Sequence, residues 1–354
     1  MIKCNPRAFS ASLWLPLLAL LPRSAFAVPL TVSQHSSLNF YGTIIARRYS
    51  GQSERDDGDG DGDRSYLYFG LIGKKKIAPR WRAYAHWEYT VSFADATRNS
   101  TRLAYLGVQN ASLGSLDIGR NWGVLYDVTA LTDRSPLFRE MAYNYIDNFM
   151  RGRAHNLLTY RKPFSLFQRH AALALQYQFK DGDDRQALGK QNGNGFGASF
   201  RYALTPTLSL IAAASASQTT QRQQRAAGYR RRIDTLAEGV LYASKKIYLA
   251  AVFTQSDNAI SPQQTANRGS ASSYEALAKY RLTDHIQPNI GYTRLIQARA
   301  GRNTDLLNYE ELGVTWLLNS NMQVFINYEF NNLSRHAPGV DASDKLDMGI
   351  SYHW

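Results

Sequence analysis

The sequence predicts an all-β protein, a 16-stranded antiparallel transmembrane β-barrel. Three observations predict it: apolar and polar residues alternate with period two, long polar connections alternate with short turns, and the chain ends in an aromatic amphipathic strand. Such strands turn apolar side chains to lipid and polar ones to the lumen, so a barrel has a polar average composition. The mean hydropathy of −0.38 therefore fits a barrel. After residue 27 no apolar run reaches the ~18 residues of a membrane-spanning helix.

Residues 1–27 have the pattern of a secretory signal peptide. A basic start is followed by a mostly apolar stretch at 12–21, and small residues, Ala25 and Ala27, stand three and one positions before the expected cut. A short amphipathic helix is the alternative. Cleavage after Ala27 would remove three basic residues, which lowers the net charge from +13 to +10, and also Cys4, the only cysteine. The exported chain, residues 28–354, would then form one barrel domain without a disulfide.

Segments with period-two alternation follow one another along this domain, and many approach the ~9–11 residues that a tilted membrane strand needs. They are residues 38–46, 66–71, 81–89, 171–179, 196–202, 208–216, 236–243, 247–255, 274–280, 286–295, 307–317, 322–330 and 346–354. Short turns, such as 204–206 and 244–246, alternate with long polar loops, such as 181–194 and 218–232. At about 20 residues for each strand with its connection, the domain holds about 16 strands.

The C-terminal strand, Leu346 to Trp354, is the most specific local signal. Apolar and aromatic residues occupy alternate positions up to the last residue. This pattern resembles the signal that the barrel assembly machinery of the outer membrane binds. We therefore expect export through the periplasm into the outer membrane of a Gram-negative bacterium, with lipid and lipopolysaccharide as the surroundings.

Several other functions are disfavoured by the motifs. The segment 57–63 begins like an EF-hand, but Tyr68 stands at its twelfth position, where calcium loops need glutamate. The basic segment 222–232 offers only Tyr229 for stacking on bases, so we expect a solvated loop and no nucleic-acid partner. HExxH, GxSxG and P-loop patterns do not occur, and seven scattered histidines form no ligand pattern. We expect no catalytic residues, no metal and no cofactor.

Several strings resemble the general diffusion porin family of enteric outer membranes, in that family's order and spacing. They are residues 41–42, 87–89, 101–104, 114–117, 119–129, 132–133, 147–149, 159–161 and 247–251. The resemblance implies a homotrimer of 16-stranded barrels whose third loop, here about 122–153, folds inward and narrows a water-filled pore. It implies passive diffusion of ions and small hydrophilic solutes.

The resemblance also implies which residues border the constriction. Arg102 and Arg153 match wall arginines, and Asp133 matches a loop aspartate. Arg102 is expected to face the lumen because it alternates with Leu103 and Tyr105, which we expect to face outward. For both arginines, pairing with a loop carboxylate such as Asp147 is the alternative.

Three positions depart from the family pattern. Tyr68 stands where an arginine is expected, Thr43 where a lysine is common, and Leu137 where the loop has a glutamate. New charges appear nearby at Arg134, Arg139, Glu140 and Arg151.

These changes should weaken the transverse field of the constriction, and Arg134 and Arg139 would favour anions if they face the lumen. The alternative, for both arginines, is that the side chain is solvated outside the lumen or stabilises the loop. The sequence thus predicts a weakly selective or anion-leaning pore. Other possibilities are a phosphate-preferring porin, a barrel enzyme with a catalytic Ser/His set, and a soluble secreted β-sandwich.

Overall fold

The computed structural model describes residues 28–33, 35–51, 62–134, 147–183, 186–227, 229–258, 269–299, 302–333 and 342–354. The predicted signal peptide (1–27) lies outside the described residues. The same holds for Leu137, Arg139 and Glu140 in the predicted constriction loop.

Nearly all regular structure in the described residues is β-strand. The strands are β1 (Val28–Val32), β2 (Ser36–Gly51), β3 (Gly62–Asp63), β4 (Tyr66–Ala78), β5 (Trp81–Ser92), β6 (Ser100–Asn110), β7 (Gly114–Trp122), β8 (Arg153–Leu166), β9 (Arg169–Gln178), β10 (Gly195–Ala203), β11 (Leu208–Gln218), β12 (Arg232–Ala243), β13 (Ile247–Asp257), β14 (Ser270–Tyr280), β15 (Ile286–Arg299), β16 (Arg302–Leu317), β17 (Met322–Asn331) and β18 (Lys345–His353). The helices are α1 (Tyr126–Thr129) and α2 (Gln221–Ala227), with 3₁₀ turns at Ala96–Arg98 and Leu188–Lys190. No helix in the described ranges has the length and apolarity needed to cross a bilayer.

The sheet closes on itself. Each long strand pairs antiparallel with the next, and the last strand, β18, pairs with β2 through partners such as Gly349 and Arg47. The two short strands lie along β2: β1 pairs with its first part and β3 with its last part. The remaining sixteen strands form the wall, so the predicted 16-stranded antiparallel barrel is confirmed.

The wall has polar residues on its covered face and apolar residues on its exposed face. Thr254 and Ser256 on β13 are buried, while Leu249 on the same strand is exposed. On β17 and β18, Asn327 and Asp347 are buried, whereas Ile326 on β17 is exposed. A water-soluble protein has the opposite arrangement, because it buries apolar surface. An apolar outer face around a polar lumen is what a barrel in lipid requires.

The connection between β7 and β8 turns into the barrel. Leu125, Val128 and Leu131 follow β7 and pack against inward residues of β11 to β13, which form the largest apolar cluster of the described residues. Gly239 on β12 makes room for them, because a Cβ there would lie 2.8 Å from Leu131 Cδ1. Since four strands lie between β7 and β12 along the wall, residues 123–134 cross the lumen.

Candidate functional site

Arg102 on β6 faces the lumen and binds a buried carboxylate. Its Nε donates to Glu88 Oε1 at 2.5 Å, and Glu88 is 2% exposed. The other oxygen, Oε2, accepts a hydrogen bond from Tyr41 Oη at 2.6 Å. The guanidinium carbon of Arg102 lies 5.1 Å from the centre of the Tyr68 ring. Glu88 and Tyr68 therefore fix the position of the charge of Arg102, and Glu88 partly neutralises it.

A β-bulge, and not simple alternation, turns Arg102 inward. The pairing of β5 with β6 shifts by one residue at Arg102, so this residue is the extra one of the bulge. The expectation that Leu103 and Tyr105 face outward was wrong. Tyr105 Oη lies 2.9 Å from His86 Nδ1 on the inner face, and Leu103 is buried, whereas Leu106 is 64% exposed. Alternation assigns a face correctly only as far as the next bulge.

Thr43 and Tyr68 lie side by side on the same inner wall, as partners in the pairing of β2 with β4. Thr43 Oγ1 lies 2.7 Å from His353 Nδ1, and the Tyr68 ring stacks on Tyr66 at 6.3 Å between centroids. Neither residue carries a charge at neutral pH. This stretch of wall therefore presents hydroxyls and aromatic faces beneath Arg102.

Arg153, at the start of β8, shares a carboxylate with a second arginine. Arg153 Nη2 lies 3.1 Å from Asp147 Oδ2, and Arg120 Nη2 donates to the same oxygen at 2.9 Å. The backbone N–H of Arg153 also donates to Asp147 Oδ1 at 2.9 Å. Trp122 supports the guanidinium of Arg153 at 5.3 Å from its ring centre. Pairing with Asp147 was thus correct for Arg153, whereas Arg102 pairs with Glu88.

Asp133 lies exposed at the end of the described part of the inward segment. It accepts a hydrogen bond from Tyr126 Oη at 2.7 Å, and the Tyr126 ring stacks on Trp122 at 3.7 Å. Burial, together with the nearby charge of Asp133, raises the pKa of Tyr126 well above its ordinary value. Tyr126 therefore stays a neutral hydrogen-bond donor at neutral pH and holds Asp133 in place.

Arg134 lies against the far wall of the lumen. Its guanidinium carbon is 5.8 Å from the ring centre of Tyr248 on β13. The Tyr248 hydroxyl donates to the Leu131 carbonyl oxygen at 2.6 Å, and Lys279 Nζ donates to that of Arg134 at 3.0 Å. Arg151, at the other end of the segment, is buried. Arg134 thus both anchors the segment and places a charge in the lumen.

Several charged residues of the lumen were not singled out from the sequence, namely Glu88, Arg120, Asp127, Arg161 and Arg201. Asp127 in α1 binds Arg161 Nη1 at 2.8 and 2.9 Å and accepts from Ser199 Oγ at 2.5 Å. All but Arg201 belong to the strings quoted above, so the resemblance pointed to their strands. Their pairing depends on which strands and loop turns meet across the lumen.

Within the described residues, charged side chains lie on the inner face of the barrel, and the inward segment contacts both β8 and β11 to β13. Arg102, Arg153 and Tyr126 lie close enough together for their charges and dipoles to interact. Among the described residues no three His, Cys, Asp or Glu side chains group as a metal ion would require. Such a lumen can orient water and small polar solutes while it excludes apolar ones.

Comparison with known proteins agrees with this geometry. The Gram-negative porin family model matches residues 34–354. The chain is 32% identical to outer membrane protein F of Serratia marcescens (90% of this chain, 92% of that one). It is 33% identical to outer membrane porin PhoE of Klebsiella oxytoca (97% and 99%).

Solved porin structures are also similar to this chain in fold. The OmpF complex of Salmonella typhi with daunomycin superposes with a TM-score of 0.82 at 29% identity and covers 92% of this chain and 100% of its own. An anion-selective porin from Comamonas acidovorans has the same fold, with a TM-score of 0.70 at 17% identity, covering 90% and 100%. The chain therefore belongs to the Gram-negative porin family and is an outer-membrane barrel that forms a channel for passive diffusion of ions and small hydrophilic solutes.

Proposed function

We propose that this channel is weakly selective and leans towards anions. The observation that carries the proposal is the unequal pairing of charge at the narrow part of the lumen. Arg120 and Arg153 share the single carboxylate of Asp147. Each shared or unmatched guanidinium leaves positive charge at the surface along which ions pass.

The size of the effect follows from Coulomb's law. Two unit charges ~10 Å apart interact by ~1.7 kcal/mol at an effective dielectric constant of ~20. That is enough to bias which ion occupies the constriction, and too little to trap it. A modest preference for anions with fast passage is therefore expected.

In this proposal the constriction is bordered by Arg102, Arg153 and Arg134 as cations, by Asp133 and Glu140 as carboxylates, and by the neutral Tyr68 and Thr43. The neutral pair replaces two cations that the family resemblance led us to expect. Leu137 replaces one carboxylate. Loss of charge on both sides of the constriction weakens the transverse field. The pore should therefore select solutes less by their dipole moment and more by their net charge.

The same proposal includes the processing and assembly of the chain. We take residues 1–27 as the signal peptide, so that the mature chain begins at Val28, the first residue of β1. The barrel assembly machinery would bind Leu346–Trp354, where the Trp354 and Tyr352 rings stack at 6.1 Å. Three barrels would form a homotrimer through their apolar outer faces, in contact with lipopolysaccharide. No catalytic role is proposed.

Planar-bilayer recording tests the proposal. The protein should insert in groups of three conductance steps, and in a KCl gradient its zero-current potential should lie on the anion side. Arg102→Ala should reduce the anion preference more than Arg153→Ala. The first change leaves Glu88 without its cation, whereas after the second Arg120 still pairs with Asp147.

Arg169→Ala is the matched control, because Arg169 is the exposed first residue of β9 and lies outside the proposed constriction. It should leave the potential unchanged. Cation preference of the unaltered protein would refute the proposal, as would an unchanged potential in both arginine variants.

A further inference from the structure

A group of basic side chains lies on the far wall of the lumen, four or more strands from Arg102. It consists of Arg201 on β10, Lys279 on β14 and Arg134 of the inward segment, and is called here the far basic group. Lys279 and Tyr248 are direct partners in the pairing of β14 with β13, and Arg134 covers the Tyr248 ring. Lys279 Nζ binds the Arg134 carbonyl oxygen, which ties the inward segment to β14.

Arg201 is the unusual member of this group. Its guanidinium donates to Ser209 Oγ at 3.3 Å. Within the described residues no carboxylate lies at ion-pair distance from it, in contrast to Arg102, Arg153 and Arg161. Arg201 is half-buried, and its charge lies close enough to that of Arg134 for the two to repel. Arg201, without a carboxylate at ion-pair distance in the described residues, faces the same part of the lumen as Lys279 and Arg134, so this surface is locally positive.

The described carboxylates in this part of the lumen are already engaged. Asp127, whose charge reaches Arg201, holds Arg161 and Ser199. Glu275 on β14 accepts a hydrogen bond from Thr132 Oγ1 at 2.5 Å. Asp133, next to Arg134 in the chain, points to Tyr126. A mobile anion is therefore the species that would balance Arg201.

We propose that the far basic group is a binding subsite for small tetrahedral oxyanions of the sulfate and phosphate class. The planar guanidinium of Arg201 can donate to two oxygens of such an anion. A second basic side chain of the group adds attraction for the anion without requiring a particular orientation of it. This subsite lies apart from the wall that carries Arg102 and Arg153. It deepens, and rests on, the proposed anion-leaning channel.

The test measures chloride current through reconstituted channels while sodium sulfate is added at constant ionic strength. Sulfate should occupy the subsite and lower the chloride current along a saturable curve. Arg201→Gln should raise the half-inhibiting sulfate concentration about tenfold. A factor of ten corresponds to ~1.4 kcal/mol, the magnitude expected for a lost hydrogen bond to a charged group.

Two further variants separate charge from geometry. Arg201→Lys keeps the charge and loses the planar guanidinium, so its zero-current potential in KCl should stay that of the unaltered protein while sulfate inhibition weakens. Arg169→Gln removes the same charge from the exposed first residue of β9 and should leave sulfate inhibition unchanged. Unit conductance in KCl shows for each variant that the channel has assembled.

The outcomes distinguish this inference from the proposed function. Anion preference in KCl without saturable sulfate inhibition, or with inhibition that Arg201→Gln does not alter, overturns the subsite and leaves the selectivity proposal standing. Saturable inhibition that depends on Arg201, in a channel without anion preference, overturns the selectivity proposal and supports the subsite. Equal weakening by Arg169→Gln would show a diffuse charge effect and also overturn the subsite.

Discussion

The two walls of the lumen that the inward segment joins carry their charges differently. On the near wall, β2 to β8, Arg102, Arg153 and Arg161 all bind carboxylates. On the far wall, β10 to β14, the segment packs through apolar side chains such as Leu131, and Arg201 binds a hydroxyl instead of a carboxylate.

The two walls therefore have different roles: the near wall fixes the positions of charges, and the far wall holds the inward segment. The one-to-one pairs of Arg102 with Glu88 and of Arg161 with Asp127 are nearly neutral and contribute little net field at a distance. The net charge of the near wall therefore comes from Arg120 and Arg153, which share Asp147. Apolar contacts on the far wall hold the segment, since burial of a leucine side chain is worth about 1.5–3 kcal/mol. The charge that is left over on the far wall then acts on passing ions. Each role can be removed separately by substitution.

Glu88→Gln should have the largest effect, because it breaks the near-wall pairing. Removing one partner of a buried ion pair costs about 3–5 kcal/mol when the other charge stays behind. Arg102 would keep its charge, so the channel should become both less stable and more anion-selective. Urea unfolding in lipid vesicles and the zero-current potential in a KCl gradient measure the two effects.

Asp284→Asn, in the exposed turn between β14 and β15, is the control and should change neither quantity. If Glu88→Gln also left both unchanged, the Glu88–Arg102 contact would contribute nothing to stability or selectivity. The near wall would then not differ from the far wall in the way the structure suggests.

Leu131→Ala should loosen the far-wall anchor. Leu131 is fully buried against β11 to β13, and such truncations cost about 2–5 kcal/mol in well-packed sites. This free-energy cost should weaken the binding of the segment to the wall more than it destabilises the barrel, because the barrel strands keep their own pairing. We expect a higher and noisier unit conductance and faster cleavage of the segment by added protease.

Leu210→Ala is the matched control for this prediction. Leu210 lies on the same strand as one of the partners of Leu131, but on the exposed outer face. It should leave conductance and cleavage unchanged. A Leu131→Ala channel as quiet as the unaltered one would mean that hydrogen bonds, such as that of Tyr248 to the Leu131 carbonyl oxygen, hold the segment alone.

The fold was largely predictable because alternation is a local property. The alternation of apolar and polar residues within one strand, such as β13, is enough to assign its two faces. The short turns mark where one strand ends and the next begins. The length of the chain then fixes a number near sixteen. The helix α2, in a loop expected to be polar and irregular, was not predicted, because its seven residues have no apolar stripe to signal it.

The site was less predictable because it depends on pairing between distant residues. The sequence identified Arg153 and its alternative partner Asp147, which lie six residues apart. It assigned Arg102 to the lumen for the wrong reason, since the bulge that turns this residue arises only when β5 pairs with β6. The position of Arg201 could not be inferred, because only the assembled strands show that no carboxylate of the described residues lies at ion-pair distance from it.

The smallest expected effect concerns the outer face, where the two walls differ at Glu238. Glu238 lies exposed at the middle of β12 between Leu236 and Val240, and within the described residues no hydrogen bond or ion pair reaches it. The near wall has apolar residues such as Leu106 and Ile118 on its outer face. A carboxylate there should cost about 1 kcal/mol, less than a basic residue at the bilayer midplane.

Glu238→Leu should therefore stabilise the barrel by that amount in urea unfolding from lipid vesicles and leave conductance unchanged, because the residue does not face the lumen. Leu236→Glu on the same strand and face is the reverse change and should destabilise by a similar amount. If Glu238→Leu instead destabilised the barrel in vesicles while Leu236→Glu behaved as expected, the carboxylate would have a partner at the lipid-facing surface. The outer face of β12 would then be an interaction site and not merely a tolerated defect in the apolar band.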